Sequence, residues 1–320
     1  MREPRFIQLH EVAAARLAAE AAAGLCAAAA HVSPKFFYDA LGSRLFDAIT
    51  ELDEYYPTRT EAAIMAGSQA EMTAAVLQAT GPAPMLVDLG AGNGAKAARL
   101  FEPLALSRYV AVDISVEFMQ GALSRLQREH PGLDMLGVGL DFSTELALPP
   151  GLVQGSAVVF YPGSSIGNFS PPEALRLLRQ ARALSAGGAL LIGVDLVKPR
   201  ALLEAAYDDA LGVTAAFNRN LLRHLNRLLG CDFDLRQWQH RAVYDERAGR
   251  IEMHLLARQA LVVCWPGGER VFAQGEHIHT ENSYKWQPAA FEALLRQAGF
   301  AAVRSWTDAQ GWFGVMLAQG

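Results

Sequence analysis

Met85-Leu86-Val87-Asp88-Leu89-Gly90-Ala91-Gly92-Asn93-Gly94-Ala95-Lys96 decides the fold of this 320-residue chain. An apolar run enters an acidic residue, three glycines follow at alternate positions, and Ala95-Lys96-Ala97-Ala98-Arg99-Leu100-Phe101 has helical composition. That order predicts the strand, tight turn and helix that open a nucleotide-binding α/β sheet. Glycine suits the turn because a Cβ would hold the backbone away from a bound nucleoside, and because some turn positions need φ > 0. The next apolar run, Tyr109-Val110-Ala111-Val112, ends in Asp113. A carboxylate at the tip of a second strand can accept hydrogen bonds from both hydroxyls of a ribose. An adenosine-type cofactor is therefore expected, with Gly90, Gly92 and Asp113 around it.

Gly90-Ala91-Gly92-Asn93-Gly94-Ala95 also fits the dinucleotide pattern G-x-G-x-x-A, so an NAD-dependent dehydrogenase and a non-catalytic nucleotide-binding domain stay open at this point. Three features favour S-adenosylmethionine. Asp88 stands two residues before the first glycine, where dehydrogenases usually carry an apolar residue, and a carboxylate suits the amino-acid end of S-adenosylmethionine. The D-x-G-x-G-x-G form of the turn resembles the first motif of class I methyltransferases. The chain closes with two strand-like runs, Ala301–Trp306 and Trp312–Leu317, joined by Thr307-Asp308-Ala309-Gln310-Gly311, which resembles the terminal antiparallel hairpin of the same fold. That resemblance implies a Rossmann-like α/β sheet in which Asp141 binds the adenine amino group and Phe142 packs on the ring. Lys96 is assigned to the carboxylate of S-adenosylmethionine, with an ordinary helix-surface lysine as the competing reading.

Charged residues make up 19% of the chain and the net charge is −5, so no basic surface points to nucleic acid. Cys26, Cys231 and Cys264 are odd in number and far apart, which fits neither a disulfide framework nor a zinc pattern and suits a reducing, cytoplasmic setting. The alanine-rich stretch from Val12 to Ala30 contains Arg16 and Glu20, so it reads as a helix of a protein without a membrane span. No heptads or apolar interface stripe appear, and a monomer is the default.

Onward from Asp113, Met135–Asp141, Ala157–Tyr161 and Ala189–Val194 read as further strands. Pro171–Leu184 carries leucines at helical spacing behind a candidate N-cap, Ser170. Two regions fall outside this alternation: the N-terminal segment, and a stretch from Lys198 to about Tyr284 that is far too long for a loop. The expected division is a cofactor-binding methyltransferase domain of residues 60–197 and 286–320, and an inserted α+β substrate-binding lobe of residues 1–59 and 198–285.

Several longer motifs carry a more specific resemblance. Phe37-Tyr38-Asp39-Ala40-Leu41-Gly42-Ser43-Arg44-Leu45-Phe46-Asp47 and Glu54-Tyr55-Tyr56-Pro57-Thr58-Arg59-Thr60-Glu61 come first. Gly163-Ser164-Ser165-Ile166-Gly167-Asn168, Ala206-Tyr207-Asp208-Asp209-Ala210, Val213–Asn218, Arg250-Ile251-Glu252-Met253 and Thr280-Glu281-Asn282-Ser283-Tyr284-Lys285 follow in order. Together they resemble the L-histidine Nα-methyltransferases of ergothioneine biosynthesis over nearly the whole chain. The resemblance implies transfer of three methyl groups from S-adenosylmethionine to the α-amine of histidine, through mono- and dimethyl intermediates, giving hercynine. It implies that Asn168 and Tyr207 hold the amine and carboxylate of the amino acid, with Tyr38 and Gly163 nearby. Glu281 and Ser283 would read the imidazole, with Asn282 in the same stretch and Tyr55 on the other side, and Phe46 and Met253 would form an apolar wall.

The residue chemistry suits those roles. Methyl transfer needs a deprotonated amine on the line of attack, and neutral hydroxyl and amide groups orient its lone pair without clamping an ammonium. A glutamate beside a ring N–H discriminates well, because an analogue without that donor leaves a buried charge unpaired. Strand alternation predicts His277, His279 and Glu281 on one face, but too few ligands accompany them for a metal site and none is expected. Methylation of another amino acid such as tryptophan, and a binding-only role, are the competing functions.

Overall fold

The computed structural model describes residues 2–9, 14–153 and 155–320. In chain order the first strands are β1 (Arg5–Gln8), β2 (Met85–Leu89), β3 (Arg108–Asp113), β4 (Asp134–Gly139), β5 (Ala157–Tyr161) and β6 (Ala189–Asp195). Then come β7 (Trp238–Asp245), β8 (Arg250–Ala257), β9 (Leu261–Trp265), β10 (Gly268–Phe272), β11 (His277–Tyr284), β12 (Ala302–Thr307) and β13 (Phe313–Gln319). The chain divides into two compact units: Met1–His10, Pro57–Val197 and Lys285–Gly320 form one, and Glu11–Tyr56 with Lys198–Tyr284 form the other.

The first unit is built on an eight-stranded sheet of order β1-β4-β3-β2-β5-β6-β13-β12. All pairs from β1 to β6 are parallel, while β13 runs antiparallel to both β6 and β12. This is the class I methyltransferase arrangement, terminal hairpin included. Strand alternation sends Val87, Leu89, Val110 and Val112 to one face, against Leu177 and Leu178 of helix Pro171–Leu184 and Phe291 and Leu295 of helix Pro288–Gln297. Leu86, Tyr109 and Ala111 face the other way, against Met72 and Val76 of helix Gln69–Thr80 and Leu123 and Leu126 of helix Val116–Glu129. Burial on both faces explains why these strands read as unbroken apolar runs. Ser170 begins the first of those helices in a capping box, its N–H donating to the Glu173 carboxylate at 2.9 Å.

Chain order reverses between β2 and β5. The turn after β2 and the loop after β5 therefore lie at the switch point of the sheet, where open α/β folds hold ligands.

The second unit contains an antiparallel sheet of order β11-β8-β7 and the two-stranded ribbon of β9 and β10. Helix Val213–Leu229 presents Phe217, Leu221, Leu222 and Leu225 as its buried stripe. Helix Ala14–Cys26 covers most of the alanine-rich stretch and ends before Ala27–Ala30, which are not helical; Val12 and Ala13 of that expected helix lie outside the described residues, as does Met1. Among the described residues no helix is long and apolar enough to cross a membrane.

Three boundaries expected from sequence move: the first residues, Pro57–Arg59 and Lys285 all fall in the first unit. The first residues do not all belong with residues 14–56, because β1 pairs in parallel with β4 at the edge of the large sheet. Its four residues are all exposed, so no apolar alternation announces them. Lys285 joins the first unit: its ammonium lies 2.7 Å from Asp195 Oδ2, with the two side chains 0% and 1% exposed. An uncompensated buried carboxylate is costly, so Lys285→Met should destabilise the protein by about 3–5 kcal/mol, measured by urea denaturation against wild type.

Candidate active site

Four strands of the large sheet deliver aspartates to their carboxyl ends. Asp88 lies in β2, Asp113 ends β3, Asp141 follows β4 and Asp195 ends β6, and all four are buried. The turn after β2 is closed by hydrogen bonds onto β3: Gly90 N–H and Ala91 N–H both donate to the Val112 carbonyl, at 2.8 and 3.2 Å. Gly92 N–H donates to Asp113 Oδ2 at 2.8 Å, and Ser115 N–H to Asp113 Oδ1 at 2.7 Å. Gly90, Gly92 and Gly94 have φ of 68°, 53° and 69°, in the left-handed region where a Cβ is strained. At Gly94 a Cβ would also come within 2.6 Å of Leu126 Cδ1. These glycines are therefore demanded by backbone geometry before any ligand is considered.

Asp88 is half-satisfied. Its Oδ2 accepts a hydrogen bond from the Tyr109 hydroxyl at 2.8 Å, and its Oδ1 is buried without a partner among the described residues. Burial pushes the Asp88 carboxyl up to about 7, and the nearby Asp113 carboxylate adds to the rise. That atom lacks a donor, and the ammonium of S-adenosylmethionine fits as one. Phe142 stands edge-on to Tyr161 at 5.8 Å, and its Cζ is 3.8 Å from where a Cβ on Gly90 would lie, close to the glycine turn. Asp141 accepts from the Ser143 N–H at 3.0 Å and from the Ser143 hydroxyl.

Lys96, on helix Ala95–Ala98, points to a partner that sequence reasoning missed. Its ammonium lies 2.6 Å from Oε2 of Glu61, which is itself 1% exposed. Lys96 is thus an ion-paired lysine, whatever else it holds. Gly163 and Asn168 belong to the loop after β5, with Ser165–Asn168 forming a single 3-10 turn.

The second unit contains most of the other residues expected at the site. Tyr38 and Phe46 have ring centroids 5.9 Å apart, Phe46 and Tyr55 6.3 Å, and Tyr55 and Tyr207 6.2 Å, all edge to face. The Tyr207 hydroxyl is 2.7 Å from the Ser283 hydroxyl. Tyr207 ends helix Arg200–Tyr207, and that end is fixed by His240, whose Nε2 lies 2.8 Å from the Tyr207 carbonyl. Because a carbonyl can only accept, Nε2 carries the proton; Nδ1 then accepts from Asn218 Nδ2 at 2.8 Å. Burial lowers the pKa of His240, in keeping with this neutral tautomer. His240 was not legible in the sequence as a support for Tyr207.

A bulge in β11 changes how Thr280–Tyr284 is presented. His279 pairs with His254, but Glu281 pairs with Met253, with the register shift between them. Adjacent residues of β8 point to opposite faces, so His279 and Glu281 do too. The expectation that His277, His279 and Glu281 share a face is therefore overturned. Glu281 and Ser283 share the face of Met253 and Ile251, whereas Asn282 pairs with Glu252 on the opposite face and accepts from His279 Nε2 at 2.9 Å. Asn282 therefore lies on the strand face opposite to Glu281 and Ser283. Among the described residues no group of three or more His, Cys, Asp or Glu is arranged to hold a metal ion.

The sheet order and the glycine turn at its switch point define a class I methyltransferase. A model of the histidine-specific, S-adenosylmethionine-dependent methyltransferases matches residues 17–320, and the chain belongs to that family. It is 42% identical over 313 residues to the histidine N-alpha-methyltransferase of Mycolicibacterium smegmatis, covering 96% of this chain and 95% of that one. Against the histidine N-alpha-methyltransferase of Mycobacterium tuberculosis the identity is 42% over 293 residues, 89% of each chain. Ergothioneine biosynthesis protein 1 of Neurospora crassa is 30% identical over 280 residues, 84% of this chain and 31% of that longer protein.

The raised Asp88 carboxyl has a testable sign. A folded-state value above the unfolded one means that the folded protein holds this proton more tightly, so the contribution to stability is full below about pH 4 and is lost as the pH rises through about 7. Asp88→Asn cannot ionise, so its stability relative to wild type should improve between pH 5 and pH 8 in urea unfolding. An unchanged difference would mean that Asp88 ionises as an ordinary carboxylate.

Proposed function

We propose that this protein transfers three methyl groups in succession from S-adenosylmethionine to the α-amine of L-histidine, giving hercynine, the first step of ergothioneine biosynthesis. The family membership and the two bacterial relatives support the reaction class and the substrate. The observation that carries the reading to individual residues is the β11 bulge, which sets Glu281 on the face of Met253 and Ser283.

When bound, S-adenosylmethionine supplies a methyl carbon made electrophilic by its sulfonium. For its binding we assign Gly90 and Gly92 to close backbone approach, Asp88 to the ammonium, Lys96 to the carboxylate and Asp113 to the ribose. Asp141 and Phe142 are assigned to the adenine. Both oxygens of Asp113 accept backbone N–H groups, and each retains a further lone pair for a hydroxyl.

The remaining work is orientation. Asn168 and Tyr207 are assigned to the amine and carboxylate of histidine, with Gly163 and Tyr38 beside them. Both side chains are neutral, so they direct the lone pair of a deprotonated amine and do not trap it as an ammonium. This matters more as methyl groups accumulate, because each transfer removes an N–H and the dimethyl intermediate must still be aimed. Glu281 is assigned to an imidazole N–H and Ser283 to the same ring, with Tyr55 opposite and Phe46 and Met253 as the apolar wall. The Tyr207–Ser283 contact supports a shared task, since the group that meets the amino acid is hydrogen-bonded to a group that reads the ring. The three cysteines are all free, which supports a reducing, cytoplasmic setting, and we take the working form to be a monomer.

Steady-state kinetics with purified protein, S-adenosylmethionine and histidine test this assignment. Glu281→Ala should lower kcat/KM for histidine by roughly 10- to 100-fold, the scale of a lost hydrogen bond to a charged group. Tyr207→Phe should slow turnover while leaving calorimetric affinity for S-adenosylhomocysteine unchanged. A Glu281→Ala enzyme as efficient as wild type would refute the imidazole assignment. Loss of cofactor affinity in Tyr207→Phe would show that Tyr207 is misassigned.

A further inference from the structure

Glu61 has no role in the assignments above, yet it is among the most deeply buried charged groups of the first unit, at 1% exposure. Its two oxygens face different partners. Oε2 accepts from the Lys96 ammonium at 2.6 Å, and Oε1 accepts from the Gly163 N–H at 2.8 Å. Room for the carboxylate is left by Gly193 of β6, where a Cβ would collide with Oε1. A carboxylate withdrawn from water is costly unless its partners are held in good geometry. Here the partners are a cation from the helix after the glycine turn and a backbone amide from the loop after β5.

That loop is held in an unusual shape. Gly163 and Ser164 follow one another in the left-handed region, at φ of 77° and 58°, and the second of them has a side chain. Such backbone persists only where its surroundings over-determine it. Glu61 fixes the first residue through its amide. The Ser164 hydroxyl accepts from the Asp195 N–H at 2.8 Å, which fixes the second. Asn168 lies five positions beyond Gly163, so its placement is inherited from these two anchors.

We propose that Glu61 is a positioning residue for the methyl transfer. One buried carboxylate sets both the direction of the Lys96 ammonium and the shape of the Gly163–Asn168 loop, and so registers the cofactor side against the residues that hold the amine. The proposal rests on the histidine-methylating reading of the site. Neither the periodicity nor the glycine pattern of the sequence distinguishes Glu61 from other helix glutamates.

Two variants and three readouts test it. Glu61→Ala removes both contacts, whereas Glu61→Gln keeps an acceptor for the Gly163 amide. In Glu61→Ala, hydrogen exchange of the Gly163–Asn168 segment should quicken by at least about tenfold, as expected when a local anchor is lost. At saturating S-adenosylmethionine, kcat/KM for histidine should fall by at least about tenfold. Glu61→Gln should recover both to within about threefold, because the backbone bond is kept. Affinity for 5′-methylthioadenosine, which lacks the amino-acid end, should stay within about twofold of wild type in both variants, since it has nothing to present to Lys96. Wild-type exchange in the loop of Glu61→Ala would overturn the proposal. So would a parallel loss of 5′-methylthioadenosine affinity, which would mark a general structural role. If wild-type protein fails to methylate histidine, the substrate reading falls, and the exchange measurement still decides the role of Glu61.

Discussion

The hydrogen bond from the Gly92 N–H to Asp113 is the constraint from which the first unit's site follows. It ties the turn after β2 to the end of β3, and with Gly90 and Ala91 on the Val112 carbonyl it bends the chain sharply at the switch point of the sheet. A turn that tight needs three residues at positive φ, hence three glycines. It leaves Asp88 behind the turn, shielded from water, with one oxygen on Tyr109 and the other without a partner among the described residues. Burial disfavours the charged form of that carboxyl and raises its pKa to about 7.

The second unit solves a different problem with uncharged groups. Its edge-to-face aromatic chain runs from Tyr38 through Phe46 and Tyr55 to Tyr207, where the hydroxyl meets Ser283. Neutral His240 fixes the carbonyl of Tyr207 from behind. Hydrogen bonds of neutral groups hold direction without holding charge, which is the requirement for an amine that must stay nucleophilic.

Much of this was legible in the sequence because the signals are local. The glycine turn, the aspartate-tipped strands and the terminal hairpin are each written in fewer than about twenty consecutive residues, within the reach of pattern reasoning. What escaped depends on partners distant in the chain. β1 is a short edge strand with every residue exposed, so nothing alternates. The β11 bulge leaves no mark in Thr280-Glu281-Asn282, yet it reverses the facing of Glu281 relative to His279. Glu61 and Lys96 are 35 residues apart, and His240 is 33 residues from Tyr207. No spacing rule joins such pairs.

The central claim is that this chain methylates the α-amine of histidine three times. Mass spectrometry of purified protein incubated with S-adenosylmethionine and a mixture of all twenty amino acids tests it most directly. The account predicts one product, histidine carrying three added methyl groups, with fragmentation locating them on the α-nitrogen. Methylation of a different amino acid, or of the imidazole, would contradict the roles given to Glu281, Ser283 and Asn168.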